Sequence, residues 1–152
     1  MNIQKAKMDN LELINGIVHS TINKIYPDYY TQEVVDFFNE LHSKESISKY
    51  IINGNVYIFG FNEMSFGTVT LIDNCVKRLF IIPEFQGNGY GSGIMEFIEE
   101  IVSKDYEEII LDSSLPSFKF YTGRDYSLKE SYTLELENGK ILFYEQLYKI
   151  FK

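Results

Sequence analysis

The sequence predicts an α+β chain with a βαβ passage at its centre. Three observations point there. Apolar residues recur at helical spacing in the first third and again over residues 94–101. Apolar strand-like runs fill residues 55–82, and two alternating segments near the end flank Asn138-Gly139.

Taken in order, residues 3–7 predict a short strand leading into a helix capped near Asp9, with Glu12 placed to complete a capping box. Ile14, Ile17, Val18 and Ile25 form its apolar stripe, and Tyr26-Pro27-Asp28 breaks it. Thr31 can cap a second helix whose Val34, Phe38 and Leu41 share a face. A third short helix over residues 46–52 stops at Asn53-Gly54. Residues 55–61 and 66–73 predict an antiparallel pair turned near residues 62–65, and residues 76–82 a third strand stopped by Pro83. After a Gly-rich loop, Ile94, Phe97, Ile98 and Ile101 mark one face of a helix, with Glu96, Glu99, Glu100 and Lys104 outside. Residues 107–112 suit a buried strand and residues 116–123 a short helix. Tyr132, Leu134 and Leu136 alternate up to a two-residue turn at Asn138-Gly139, which Glu137 and Lys140 flank as an opposite-charge pair. The expected order is βαα(α)βββαβαββ in one domain spanning 1–152.

Composition excludes several classes. The chain has 45% hydrophobic and 24% charged residues, as an ordinary globular protein does. A net charge of −8 argues against a nucleic-acid partner, which calls for clustered Lys and Arg. Acidity suits a cationic amine substrate, and equally suits simple solubility. A single cysteine, Cys75, permits no internal disulfide, and His19 and His42 lack metal-pair spacing, so no metal is expected. There is no apolar leader and no run near the roughly 18 apolar residues of a membrane span, so the expectation is a cytoplasmic protein without a membrane partner.

Chemistry concentrates in residues 78–93, where a strand ends, a Gly-rich loop turns and an amphipathic helix begins. Glycine lets the backbone approach a ligand, and successive N–H groups at a helix start make a nest for a phosphate. The loop lacks the lysine of a Walker motif and, counted from Gly87, has Ser92 where a Rossmann GxGxxG needs glycine.

Gln86-Gly87-Asn88-Gly89-Tyr90-Gly91 resembles the [QR]xxGx[GA] signature of the GCN5-related N-acetyltransferase (GNAT) superfamily. Gly67 falls where that family has glycine opening its third strand, and Phe120-Tyr121 followed by Tyr126 is similar to its later aromatic segment. The resemblance runs over the whole chain. It implies a layered α/β/α arrangement with a mixed, mostly antiparallel sheet of about seven strands. It implies acetyl-CoA as cosubstrate and transfer to a primary amine by direct attack in a ternary complex. By the same resemblance, the pyrophosphate lies on Gln86, Gly87, Asn88, Gly89, Gly91 and Ser92, and pantetheine runs along Phe80, Ile81 and Ile82. An N–H near Ile81 or Ile82 then polarises the thioester carbonyl. Tyr121 stands at the position of the family's frequent catalytic acid. A phenol near pKa 10 is a feasible donor to a thiolate whose acid is near about 8.5.

Other assignments stay open. Asp112, Glu84, His42 or a water chain can relieve the amine of its proton, while Asp112 also suits a cap on the turn at Ser113-Ser114. Tyr26, Asp28, Tyr29, Tyr30 and Asp112 can hold a small amine, or the aromatic ones can simply pack the core. Cys75 reads as a small hydrophobe. Two positions depart from the family: Ser114 replaces an asparagine that touches cofactor, and Asp125 replaces a turn glycine, which Gly123 can shift. The acceptor is expected to be a small molecule. A protein N-terminus or lysine, or acyl-CoA binding without catalysis, are the alternatives, with the protein a monomer or homodimer.

Overall fold

Alternation along the strands sends apolar side chains to both faces of one sheet, so the chain builds two cores rather than one. The computed structural model describes residues 1–152. Its strands are β1 (Asn2–Lys5), β2 (Val56–Phe61), β3 (Met64–Ile72), β4 (Cys75–Ile81), β5 (Glu108–Ser113), β6 (Ser127–Glu135) and β7 (Ile141–Ile150). They form a seven-stranded sheet in the order β1-β2-β3-β4-β5-β7-β6, antiparallel except for the β4–β5 pair. The helices are α1 (Leu11–Ile25), α2 (Gln32–Leu41), α3 (Lys44–Ile52), α4 (Tyr90–Val102) and α5 (Phe118–Thr122).

On one face α1, α2 and α3 bury Ile14, Val18, Ile22, Val35 and Ile47 against Val56, Ile58 and Phe80 of the sheet. Leu136 and Leu142, from the end of the β6–β7 hairpin, join that same core. On the other face α4 and α5 bury Ile94, Met95, Ile98 and Tyr121 against Phe59, Phe66, Val69, Ile109, Leu111 and Leu147. Full burial of a Leu, Ile or Phe side chain contributes about 1.5–3 kcal/mol, so each face holds its helices firmly. No helix is long and apolar enough to cross a membrane.

Several local expectations need correction. The Asp9 cap does not form. A 3-10 turn over Met8–Asn10 precedes α1, Asn10 Oδ1 accepts from the Lys7 N–H at 2.9 Å, and Glu12 pairs with Lys44 instead. Helix α3 begins earlier than expected because Ser43 Oγ accepts from the Ser46 N–H. The buried face of α4 carries Met95 and Val102 beside Ile94 and Ile98, while Phe97 and Ile101 are only half-buried. Asn138-Gly139 turns within a longer loop. The last rung is Glu135–Ile141, and the Leu136 N–H donates to the Lys140 carbonyl at 2.8 Å. Glu137 and Lys140 make no ion pair, since that wider loop does not bring them opposite one another as neighbouring rungs.

Candidate active site

Strand β4 is paired along β3 as far as Gly67–Ile81, but it meets β5 only at Cys75–Ile110 and Val76–Leu111. Beyond those two rungs the sheet splays and one edge of β4 is left without a partner. Which groups face the gap follows from ladder geometry. The Ile82 N–H donates to the Phe66 carbonyl at 2.9 Å. In an antiparallel ladder alternate residues turn both polar groups to the same neighbour, so Phe80 and Ile82 face β3 while Leu79 and Ile81 face the gap. This corrects the expected roles of Phe80 and Ile82: Phe80 is turned to β3, and the Ile82 carbonyl accepts from the Phe85 N–H at 2.9 Å. It also brings in Leu79, which the sequence reading missed. The Ile81 carbonyl is taken by Gln86 Nε2 at 2.8 Å, leaving the Ile81 N–H and both groups of Leu79 for a ligand.

The gap runs into the Gly-rich loop. Gly87 at φ +74° and Gly89 at φ +82° hold left-handed backbone, a conformation that costs other residues roughly 1–2 kcal/mol. Gly89 is the N-cap of α4, and the first helical bond runs from the Gly93 N–H to the Gly89 carbonyl at 3.1 Å. The N–H groups of Tyr90, Gly91 and Ser92 therefore have no partner within the helix. Gly91 serves by its small size: a Cβ there would lie 3.2 Å from the Phe120 ring. The Asn88 side chain folds back to the Gln86 carbonyl at 3.1 Å and does not line the cleft.

Gap and loop open into one cleft of about 860 Å³. Gln86, Gly87, Gly89, Gly91 and Ser92 line it, as do Tyr26, Tyr29, Asp112 and Tyr121. Asp28 does not: it sits exposed on a 3-10 turn over Tyr26–Asp28. Tyr30 is also outside the lining, and its hydroxyl accepts from the Leu115 N–H at 2.8 Å. Tyr26 donates to Ser114 Oγ at 3.3 Å, and burial pushes its phenol up to about 12. Ser114, in place of the family's asparagine, is thus tied to the wall of the cleft.

Tyr121 is 5% exposed, and its hydroxyl makes no hydrogen bond within the chain. Burial, with Tyr26 nearby, holds its phenol well above the ordinary tyrosine range, so it keeps its proton. The turn beyond it is preserved by Asp125, whose φ is +67°, and the Tyr126 N–H closes back on the Tyr121 carbonyl at 3.2 Å. Gly123 is ordinary right-handed backbone, so the turn has not shifted.

Of the proposed bases, Asp112 lines the cleft and accepts from Gln146 Nε2 at 3.3 Å, a bond across to β7 rather than a cap on Ser113-Ser114. Glu84 is exposed, paired with Lys24 at 2.9 Å, and outside the cleft. His42 is buried in the cleft wall, and Arg78 Nε donates to its Nδ1 at 2.6 Å. Because arginine only donates, this contact fixes Nδ1 as acceptor and puts the imidazole hydrogen on Nε2. Burial, with Arg78 and His19 adding to it, holds His42 down to about 3, so it stays neutral and has no free lone pair for a substrate proton. Cys75 is half-buried, and burial pushes its thiol up. No trio of His, Cys, Asp and Glu gathers to hold a metal.

The fold has known counterparts. A GCN5-related N-acetyltransferase from Rhodopseudomonas palustris superposes with a TM-score of 0.88 at 16% identity, over 99% of this chain and 95% of its own. The PaiA N-acetyltransferase of Thermoplasma acidophilum, solved in complex with coenzyme A, gives 0.76 at 18% identity over 99% and 98%. Arabidopsis thaliana Naa50, solved with a CoA-peptide bisubstrate analogue, gives 0.68 at 15% identity over 99% and 98%. No curated protein matches in sequence. Residues 25–143 match the family described as "Acetyltransferase (GNAT) domain". With the signature loop, the splayed strand pair and the seven-stranded sheet all in place, the chain belongs to the GNAT family.

Proposed function

We propose that the protein is an acetyl-CoA-dependent N-acetyltransferase acting on the primary amine of a small molecule. The observation that carries this reading is the free edge of β4 leading into the left-handed glycine loop, with Tyr121 lining the same cleft. Those residues fit the cosubstrate. The loop N–H groups suit a pyrophosphate, and Leu79 and Ile81 suit an extended amide-bearing arm. The neighbour solved with coenzyme A supports the same choice of ligand.

When bound, acetyl-CoA supplies the activated acyl carbon. The chain's own groups then divide the work. The N–H of Leu79 or Ile81 can donate to the carbonyl oxygen as negative charge builds on it. Tyr121 holds a proton for the departing sulfur, and the proton lost by the amine restores the phenol. Asp112 is the only acid lining the cleft and is the group best placed to attract the ammonium or accept its proton.

The acceptor side favours a small molecule over a polypeptide. Leu134, Leu142 and Tyr144 of the β6–β7 hairpin form one wall. The segment between α1 and α2 is pinned to the β5–α5 loop by the Tyr26–Ser114 and Tyr30–Leu115 hydrogen bonds.

Titration calorimetry with acetyl-CoA, on wild type and on a Gly89→Glu, Gly91→Glu double variant, tests the reading. Binding lost in the variant supports it, and a panel of amines assayed for thiol release then identifies acceptors. A folded wild type that binds no acyl-CoA would sink it. Acetylation of peptides but not of free amines would transfer the reading to a protein acetyltransferase.

A further inference from the structure

The chain has two arginines, and they are treated very differently. Arg124 is met by Glu99 at 3.3 Å. Arg78 is 7% exposed and has no carboxylate within ion-pair distance. Its contacts are all neutral. Nε donates to His42 Nδ1 at 2.6 Å, and Nη2 to Ser46 Oγ at 2.6 Å and to the Leu41 carbonyl at 3.4 Å. The guanidinium carbon lies 4.7 Å from the centre of the Tyr50 ring. Nη1 is buried with no acceptor at all.

An unpaired buried charge is costly, and a chain with 22 acidic residues against 14 basic ones does not lack acids to pair it. Packing alone would be served better by an apolar residue, since Arg78 shares its sheet face with Phe80 and the apolar core of α1, α2 and α3. Arg78 is also among the residues that line the cleft, one residue before the free edge at Leu79. Its neighbours hold it rigidly: His42 presents a lone pair to Nε, and Ser46 and Leu41 bind Nη2. Only the two N–H groups of Nη1 are left without an acceptor, and a carboxylate oxygen is the acceptor that would also neutralise the charge. Of the other charged groups in the cleft, Lys77 is exposed, and Asp112 carries the opposite sign.

We propose that Arg78 is the carboxylate anchor of this cleft: the ligand it takes carries a carboxylate, either on the amine acceptor, as in an amino acid, or on the acyl chain, as in a dicarboxylic acyl-CoA. The inference rests on the acyltransferase reading above and deepens it. With Asp112 in the same cleft, a zwitterionic acceptor meets a complementary charge at each end.

The test compares kcat/KM by thiol release in two arms. In one, free L-amino acids are set against their carboxamides with acetyl-CoA. In the other, succinyl-CoA is set against acetyl-CoA with a carboxamide acceptor. The expected result is a preference of at least about tenfold for the carboxylate form in one arm, which names its source. That ratio falls to about one in Arg78→Met and is partly kept in Arg78→Lys, which retains a charge without the bonds that fix the guanidinium. A purely structural role would change both members of a pair alike and leave the ratio standing, which overturns the proposal. A wild-type ratio near one in both arms overturns it too. If Arg78→Met does not fold, Arg78→Lys gives the same readout, and an unchanged ratio there counts against the anchor. Acetylation of simple diamines without any carboxylate preference removes the anchor and leaves the acyltransferase reading intact. Failure to bind acetyl-CoA removes both.

Discussion

The side-chain amide of Gln86 donates to the main-chain carbonyl of Ile81 at 2.8 Å, tying the first residue of the signature to the end of the strand before it. One bond therefore sets where the loop leaves β4 and consumes the one edge carbonyl that would otherwise compete with Leu79 for a ligand. Gln86→Glu replaces the donor with an anion facing both that carbonyl and the place for a pyrophosphate. Acetyl-CoA affinity is expected to fall by about tenfold or more, read by calorimetry, while Gln86→Ala, which only loosens the loop, loses less. Equal affinities in wild type and Gln86→Glu would refute this role.

Tyr121 holds its proton because burial disfavours the phenolate. Tyr121→Phe is expected to lower kcat by about a hundredfold or more with acetyl-CoA affinity unchanged, as for loss of a general acid. Since its folded-state value is raised, ionisation of Tyr121 does not limit the rate below about pH 10. A pH–rate profile that falls between pH 8 and 9 in wild type but not in the Phe variant would contradict this.

His42 makes stability depend on acid. Its folded value is held down to about 3 against an ordinary 6.5. Below the ordinary value the unfolded chain binds the proton first, so the stabilisation is complete above about pH 6.5 and is lost as pH falls toward 3, at roughly 1 kcal/mol per pH unit. His42→Asn offers Arg78 Nε an oxygen in place of Nδ1 and removes the titration. Denaturant unfolding between pH 7 and 4.5 is expected to show a shallower decline for the variant, and parallel curves would count against it.

Glu99 gathers three partners from beyond its helix: Tyr126 at 3.0 Å, Arg124 at 3.3 Å and Lys149 at 3.0 Å. Its side chain is 14% exposed, and burial, with Glu99 as acceptor, pushes the Tyr126 phenol up. Glu99→Ala strands two cations and is expected to cost about 2–3 kcal/mol, lowering the melting temperature by about 5–10 °C. A change below one degree in a thermal melt would show that the three partners find other acceptors.

What the sequence makes legible here follows period and punctuation. Every strand and helix in the expected order is present, because helical spacing at Ile14–Ile17–Val18, the glycines around Tyr90 and the stop at Pro83 each act through nearby residues. The shape of the loop is legible for the same reason: Gly87 and Gly89 are glycines where the backbone turns left-handed. The misses all depend on distant partners. Glu99 reads as solvent-facing on a helical wheel, yet Arg124 and Lys149 arrive from other elements to cover it. The choice of Leu79 over Ile82 hangs on the register with Phe66, which local alternation does not reveal. Arg78 leaves a trace, a charge at the head of the apolar run Leu79-Phe80-Ile81-Ile82, but its isolation from every carboxylate appears only in three dimensions.

The two rungs joining β4 to β5 make the sheet a pair of leaves, β1 to β4 on one side and β5 with β7 and β6 on the other, sharing a very short spine. A slight rotation about Val76 and Leu111 is magnified at the far mouth near Ile81, as at the covers of a book held by its binding. A guest laid between the leaves acts as the page that sets their opening. A grip on Leu79 and Ile81 would couple the two leaves, which the sheet itself joins at only those two rungs.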